Sequence, residues 1–413
     1  MALALDTNLA DPELIPNCKG PPHELFAAWR ERDPVHWNPP SPTYQPPQPT
    51  RSLTKGFWVL TRYKDVFEVS RDQELFSSYT GGPIIWDENE QGLAQQRAGM
   101  MGMEPEKHLQ IKRLVMPPFS PQALDKFEPE IEKVAAEIVD GIAKRGTCEF
   151  VFDVASRLPV YTFCTLMGIP NTDRELIFTL GNAAADIDNQ SAYADDPVGQ
   201  LVGYALQLAE EKRARPDSSM MSMLVHGDVD GEKLPPEEVA MFFVLMSIAG
   251  HETTRGTAVH FIRLMMENPD QFALLRNDPD RYLPNAIEEV LRYSPPVIKF
   301  RRTATRDTLI GNQQIKALDK IYLSYPAANR DPEVFPDPDR FDITRANASR
   351  HLSFGTGPHV CLGARLARMQ LKHLLKQIVT RIPDFGLAGE TRFLRTIWFN
   401  AIVHMPLSFT PEA

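Results

Sequence analysis

A chain of 413 residues, 43% hydrophobic and 24% charged with mean hydropathy -0.29, carries enough apolar material for a large buried core. Its formal net charge of -10 and pI near 5.6 give no electrostatic case for nucleic acid or an anionic membrane. Four cysteines (Cys18, Cys148, Cys164 and Cys361) without a CxxC pair point to a reducing, cytoplasmic setting rather than a disulfide framework.

The N-terminal "MALALDTNLADPELIP" turns polar and acidic too soon for a signal peptide. No run reaches the roughly 18–20 apolar residues of a membrane span. Residues 38–51, with six prolines, read as an extended loop. Phe57 to Thr61 then reads as a strand and Tyr63 onward as a helix. A long irregular stretch follows from about Ser77 to Met103, the kind of loop that is usually functional.

Beyond Glu106, apolar residues at three- and four-residue spacing predict helices near 106–115, 122–145, 155–168, 173–187, 196–213, 236–267, 270–277 and 283–293. "VIKFRRTA", "TLIGN" and "KIYLSY" read as strands, and "NRDPEVFPDPDRFDITR" as a meander rich in proline and aspartate. A helix over 363–381 and strand-like pieces at "RTIWFNAIV" and "MPLSF" complete the chain. The expected fold is mainly α with a small antiparallel β portion, in a single large domain over 1–413. Its β-containing N-terminal part covers about 20–75, and its helical core about 105–293 and 363–381.

"HLSFGTGPHVCLGARLARMQLKHLL", residues 351–375, poses the chemical question. Cys361 stands at the start of a helix, where free N–H groups and the macrodipole favour a thiolate. Zinc would need more ligands than His359 and Cys361. A dinucleotide fingerprint fails at Val360, and no Gly-Lys-Ser/Thr ends a phosphate loop. A buried structural cysteine would leave Gly355, Gly357 and Gly363 unexplained, whereas close approach to a large flat group would use them.

The run Phe354-Gly355-Thr356-Gly357-Pro358-His359-Val360-Cys361-Leu362-Gly363 meets every fixed position of Phe-x-x-Gly-x-x-x-Cys-x-Gly, and so resembles the haem-binding loop of the cytochrome P-450 family. The resemblance implies haem b with Cys361 as axial thiolate ligand of the iron, and Phe354 shielding the sulfur. "AGHETT" resembles the family's oxygen-activation motif. Ala249 and Gly250 would line the haem face, and Thr253 and Glu252 would be the catalytic pair that handles protons. The Thr253 hydroxyl can also bond back to the Ala249 carbonyl and loosen the helix there.

Glu289 and Arg292 fit the family's Glu-x-x-Arg, with Arg340 of the meander as the implied third, structural member. "HLQIK" resembles the His-x-x-x-Arg segment that holds haem propionates. His108 fits it, and Lys112 departs from it, since an ammonium makes no bidentate contact. Arg302 and His359 resemble the other propionate ligands, and strand alternation turns the neighbouring Arg301 to the opposite face.

By position in the family pattern, the substrate pocket should include Ile84, Ile85, Trp86, Leu245, Ile248, Ala249, Ile298, Phe300, Ala401 and Ile402. Their apolar character implies a terpenoid, steroid or alkyl-aromatic guest, with terpenoid leading. The resemblance implies a soluble, cytoplasmic, bacterial-type monooxygenase acting as a monomer. It would hydroxylate its guest with dioxygen and two electrons from a ferredoxin or flavodoxin-like donor served by an NAD(P)H reductase. Arg365, Arg368 and Lys372, at helical spacing, would offer that donor a basic face. A peroxide-driven haem-thiolate hydroxylase and a non-catalytic haem sensor are the rival readings.

Overall fold

The computed structural model describes residues 5–412 except 12, 41–50, 104, 186–195 and 230. Most of the proline-rich stretch at 38–51, and the last two residues of the helix expected at 173–187, lie outside the described residues. The periodic segments form helices at Pro105–Val115, Pro121–Ala143, Arg157–Met167, Arg174–Ala185, Pro197–Ala214, Pro236–Glu267, Pro269–Asn277, Pro279–Tyr293 and Ala364–Arg381. Proline opens several of them because the first turn has no intrahelical use for its missing N–H. Side-chain caps complete some starts: the Ser120 hydroxyl accepts from the Ala123 N–H (3.3 Å), and the Asp278 carboxylate from the Arg281 N–H (3.2 Å).

Pro236–Glu267 is the organising helix. Glu237 and Glu238 sit in its first turn, where they complement the dipole. It is buried on most sides, packed by Arg157–Met167, Arg174–Ala185, Pro197–Ala214 and Ala364–Arg381. Against the helical body lies a five-stranded sheet, in the order Val35–Asn38, Phe57–Leu60, Lys320–Ser324, Lys299–Ala304, Phe76–Ser77. Its pairs are antiparallel except Lys320–Ser324 with Phe57–Leu60, which run parallel with Ile321 opposite Trp58. A smaller antiparallel sheet joins Thr147–Glu149, Pro406–Ser408 and Gly386–Leu387.

The stretch expected to be irregular between Ser77 and Met103 contains a helix, Glu90–Ala98, and a 3-10 turn, Met100–Gly102. Its sequence, EQGLAQQRA, buries only Gly92, so no apolar periodicity announces it; the Asn89 side chain starts it by accepting from the Gly92 N–H (2.9 Å). The closing "RTIWFNAIV" is strand only from Ile402 to His404; before that, a single bridge of Phe399 to Val297 holds it.

The meander is fastened by a buried carboxylate. Arg292 grips Glu289 with Nε and Nη2 (2.7 and 2.8 Å), both side chains being fully buried. The third member is Arg345, whose Nε donates to Glu289 Oε1 (3.2 Å), and not Arg340. Phe341 enters the core, so the preceding Arg340 points outward, 63% exposed and 3.9 Å from Asp342. Arg340 contributes its backbone carbonyl, which accepts from Arg292 Nη2 and Arg345 Nη2 (3.2 and 2.8 Å).

Removing one partner of a buried charge set leaves the rest uncompensated. Arg345→Ala should therefore cost about 3–5 kcal/mol in urea unfolding. Arg340→Ala should stay within about 0.5 kcal/mol of the parent, as a surface change does. The reverse order would return the third role to Arg340.

Candidate active site

Cys361 is placed by a loop that only glycine permits. Gly355 and Gly357 have φ of +68° and +72°. A Cβ on Gly357 would also come within 2.9 Å of the Arg71 Cα and the Ser70 carbonyl. The Cys361 N–H donates to the Phe354 carbonyl (2.8 Å), closing the loop just before Ala364–Arg381 begins. Cys361 lies deep among protein atoms, yet its own surface is exposed, because it faces the lumen of a large cavity. Burial pushes its thiol pKa up; the Gly363 N–H and the charges of Arg368 and Lys112 pull the other way, toward thiolate.

That cavity has ≈ 1590 Å³ of empty space, its opening to solvent included. Phe354, Gly355, His359, Cys361 and Gly363 line it from the cysteine loop, and Leu366, Ala367 and Gln370 from the helix that follows. The organising helix contributes a stripe of Leu245, Met246, Ala249, Gly250, Thr253 and Thr254. Thr253 Oγ1 donates to the Ala249 carbonyl at 2.7 Å, the back-bond its mid-helix position predicts. A Cβ on Gly250 would meet nothing within 4 Å, so that wall is open.

Four basic side chains share this cavity: His108, Lys112, Arg302 and His359. Among the described residues no aspartate or glutamate lines it. Arg302 is 5% exposed, and the hydrogen bond it shows goes from Nη1 to the Arg301 carbonyl (2.9 Å). Lys112 Nζ donates to the carbonyls of Pro358 and Val360 (2.8 and 3.3 Å), and the His108 and His359 rings stand 4.2 Å apart. Burial, then the charges of Lys112 and Arg302, lower His108 to about 4. His359 falls further for the same reasons. A buried base cluster without its own acids fits a ligand that brings carboxylates.

Among the described residues no group of three or more His, Cys, Asp or Glu could hold a metal ion. An iron at Cys361 would thus arrive with its other ligands already attached. An open sulfur, an acid-free cluster of bases and a glycine-lined floor together fit haem, with Cys361 on the iron and the four bases toward the propionates.

The remaining expectations divide. Leu245, Ala249 and Phe300 line the cavity. Ile84, Ile85, Trp86, Ile248, Ile298, Ala401 and Ile402 do not. Ile85 and Trp86 are 1% and 2% exposed in a separate core cluster with Ile298, because buried cations clamp their loop onto the sheet. Arg301 Nη1 donates to the Trp86 carbonyl (2.9 Å), its N–H to the Pro83 carbonyl (2.8 Å), and Lys320 Nζ reaches Asp87 (2.9 Å). Pro83 is the part of that loop left in the wall. Ile248 falls off the helical stripe and packs against the core, as do Ala401 and Ile402.

Met100, Met101, Met246, Pro296, Val297 and Tyr325 line the cavity unforeseen. For Met246 the signal was available, since it sits one residue after Leu245 and three before Ala249 on the helix.

Glu252 is 1% exposed and turned from the cavity, paired with Arg255, which also donates to Asn182. The Glu252 side chain is thus shut off from both the cavity and solvent. The basic stripe is engaged too: Arg365 with Asp125 (3.0 Å), Lys372 with Glu128 (3.1 Å), and Arg368 with both oxygens of Glu288 (2.6 and 2.8 Å). Arg368 also covers the Phe354 ring at 4.4 Å. This helix face is therefore a set of ion pairs rather than a free basic patch.

Comparison with known proteins agrees with this site. A family model described as cytochrome P-450 matches residues 198–382. The steroid C26-monooxygenase of Rhodococcus jostii is 33% identical over 394 residues, 94% of this chain and 82% of that protein. Linalool 8-monooxygenase of Pseudomonas putida is 33% identical over 404 residues, 95% and 96% of the two chains. A Mycobacterium marinum cytochrome P-450 solved with pseudoionone superposes with a TM-score of 0.85 at 33% identity, covering 94% of each chain. Likeness of this extent to named monooxygenases, over a chain that sets a lone cysteine under an acid-free cavity, places the protein in the cytochrome P-450 family, as a haem-dependent monooxygenase of hydrophobic small molecules.

Proposed function

We propose that this enzyme hydroxylates an uncharged terpenoid or steroid, using noncovalently held haem b and electrons from a separate ferredoxin or flavodoxin-like donor. The observation that carries the substrate class is the cavity wall: among the described residues its ionisable groups besides Cys361 and Tyr325 are the four bases assigned to the haem carboxylates, leaving none to anchor a charged guest. The relatives named for steroid and linalool oxidation support the same choice. All four cysteines are free, which favours a reducing compartment, and on that ground we place the enzyme in the cytoplasm.

Bound haem supplies dioxygen binding and reductive O–O cleavage. Cys361 would hold the haem through its sulfur, and the Gly363 N–H, by bonding to that sulfur, would favour the thiolate and moderate its charge. Arg302, His108, His359 and Lys112 bind and orient the carboxylates, Lys112 as a point charge. Thr253 holds a hydroxyl proton at Oγ1, parked on the Ala249 carbonyl, and presents it to the cavity. Glu252 would resupply that proton as a relay and not as its source: its carboxylate must first leave Arg255 and take a proton from water entering the site.

An absorbance titration of the ferric enzyme tests the substrate class. Neutral terpenoids or sterols should give a saturating low-to-high-spin shift, and fatty-acid carboxylates of equal length should not. A carboxylate-only response would sink the uncharged-guest reading.

Thr253→Ala should keep haem content and guest affinity while lowering product per NAD(P)H by about tenfold or more, the lost electrons appearing as hydrogen peroxide. Full coupling in that variant would remove Thr253 from the proton path. Product formation with peroxide alone, at the rate seen with donor and dioxygen, would favour the peroxide-driven rival.

A further inference from the structure

Five of the chain's fifteen methionines line the cavity: Met100, Met101, Met167, Met220 and Met246. The wall uses 35 of the 413 residues, so one third of the methionines stand on about a twelfth of the chain. Methionine is unbranched, has three rotatable side-chain bonds and carries a polarizable sulfur. It fills gaps of irregular shape and recurs where one surface must accept several partners.

The five are not equivalent. Met167 and Met220 have no exposed surface; they end one helix and begin another inside the main core. Met101 and Met246 are only partly buried, so part of each side chain is free to turn. Met100, 8% exposed, shares with Met101 a single 3-10 turn between Gly99 and Gly102. That turn follows the last residue of Glu90–Ala98, and its N-cap Gly99 makes no side-chain cap. Its neighbour in sequence, the stretch ending at Glu88, is held by Arg301, Lys320 and Arg51, so adaptation in this region falls to the methionines.

We propose that Met100, Met101 and Met246 set the specificity of this enzyme by making its cavity adaptable. It would admit neutral hydrocarbon skeletons of unlike shape, compact bicyclic and extended acyclic, by re-packing thioethers around each. This rests on the uncharged-guest reading above. Orientation over the reactive centre would then come from shape alone, since the hydroxyls of Thr162, Thr253 and Thr254 offer the guest few polar anchors.

Leucine is close to methionine in volume but branched and stiffer, so it tests adaptability rather than size. The haem-loaded ferric enzyme would be titrated with a bicyclic and an acyclic monoterpenoid alcohol, with haem content measured separately. The parent should bind the two with dissociation constants within about tenfold, 1.4 kcal/mol, of each other. The triple variant Met100→Leu, Met101→Leu, Met246→Leu should favour one of them by a further tenfold or more. Met167→Leu with Met220→Leu should leave the ratio within about twofold.

An unchanged ratio in the triple variant would overturn the inference. So would an equal change in the control pair, which would make the effect one of core packing. A parent that already separates the two alcohols by a hundredfold would overturn it as well. A haem-replete parent that binds neither alcohol and responds only to carboxylates would instead refute the uncharged-guest reading, and this inference with it.

Discussion

One buried carboxylate ties the reactive sulfur to the core. Glu289 is fully enclosed and holds Arg292 and Arg345. Arg292 also donates to the carbonyls of Asn329 and Pro338 (3.0 and 2.9 Å). Asn329 passes the connection on: its side chain donates to Ser353 Oγ (2.8 Å) and accepts from the Leu352 N–H (2.7 Å). Ser353 Oγ donates to the Leu291 carbonyl (2.6 Å), and the next residue, Phe354, receives the Cys361 N–H. The neighbouring Glu288 repeats the device. Burial would raise its pKa, but Arg368 and His351 hold it at about 2. Two successive carboxylates on one helix thus fasten both the meander and the cysteine helix. Such charges are costly to bury and are weak stabilisers against an apolar replacement. Their effect here is geometric: the loop has one place to sit.

The same electrostatic reasoning, inverted, describes the other side of the site. Around Glu289 each charge has its counterion within the chain. Around Arg302 the cavity lining contains four bases and, among the described residues, no carboxylate. Burial and mutual repulsion keep His108 and His359 neutral in the protein alone, their pKa values pushed well below the ordinary imidazole value. A ligand bearing two carboxylates would relieve both costs at once. A closed set of charges marks structure, and an open set marks a place for a guest.

This distinction also explains what could be read from the sequence. The cysteine loop was legible because its requirements are local: two left-handed glycines, a helix start and a sulfur within ten residues. The helices beginning at Pro121 and Pro236 were legible within a residue from their apolar spacing, whereas Pro279–Tyr293 begins ahead of the expected 283 because its first turn carries little apolar pattern. The third member of the Glu289 set was not legible, because Arg340 and Arg345 are both arginines on one meander. Only the burial of Phe341 decides which of them turns inward. The pocket was least legible of all. Ile85 and Trp86 are apolar enough for a wall, but Arg301 and Lys320, more than two hundred residues away, take hold of their backbone and carry them to another core. No pattern within the loop encodes a partner so distant.

The organising helix shows how closely the two kinds of environment can approach. Thr253 faces the cavity, while Glu252, one residue earlier, is turned into the contact with Arg174–Ala185. There Arg255 joins it to Asn182. Glu252 Oε1, Arg255 Nε and both nitrogens of His251 have no partner and no exposure. A buried ion pair with unsatisfied atoms beside it is poorly compensated. Adjacent helical positions point about 100° apart, so one helix keeps an apolar stripe toward the cavity and a buried ion pair just behind it. The Thr253 hydroxyl stays on the cavity side because it is spent on its own helix, donating to the Ala249 carbonyl one turn back.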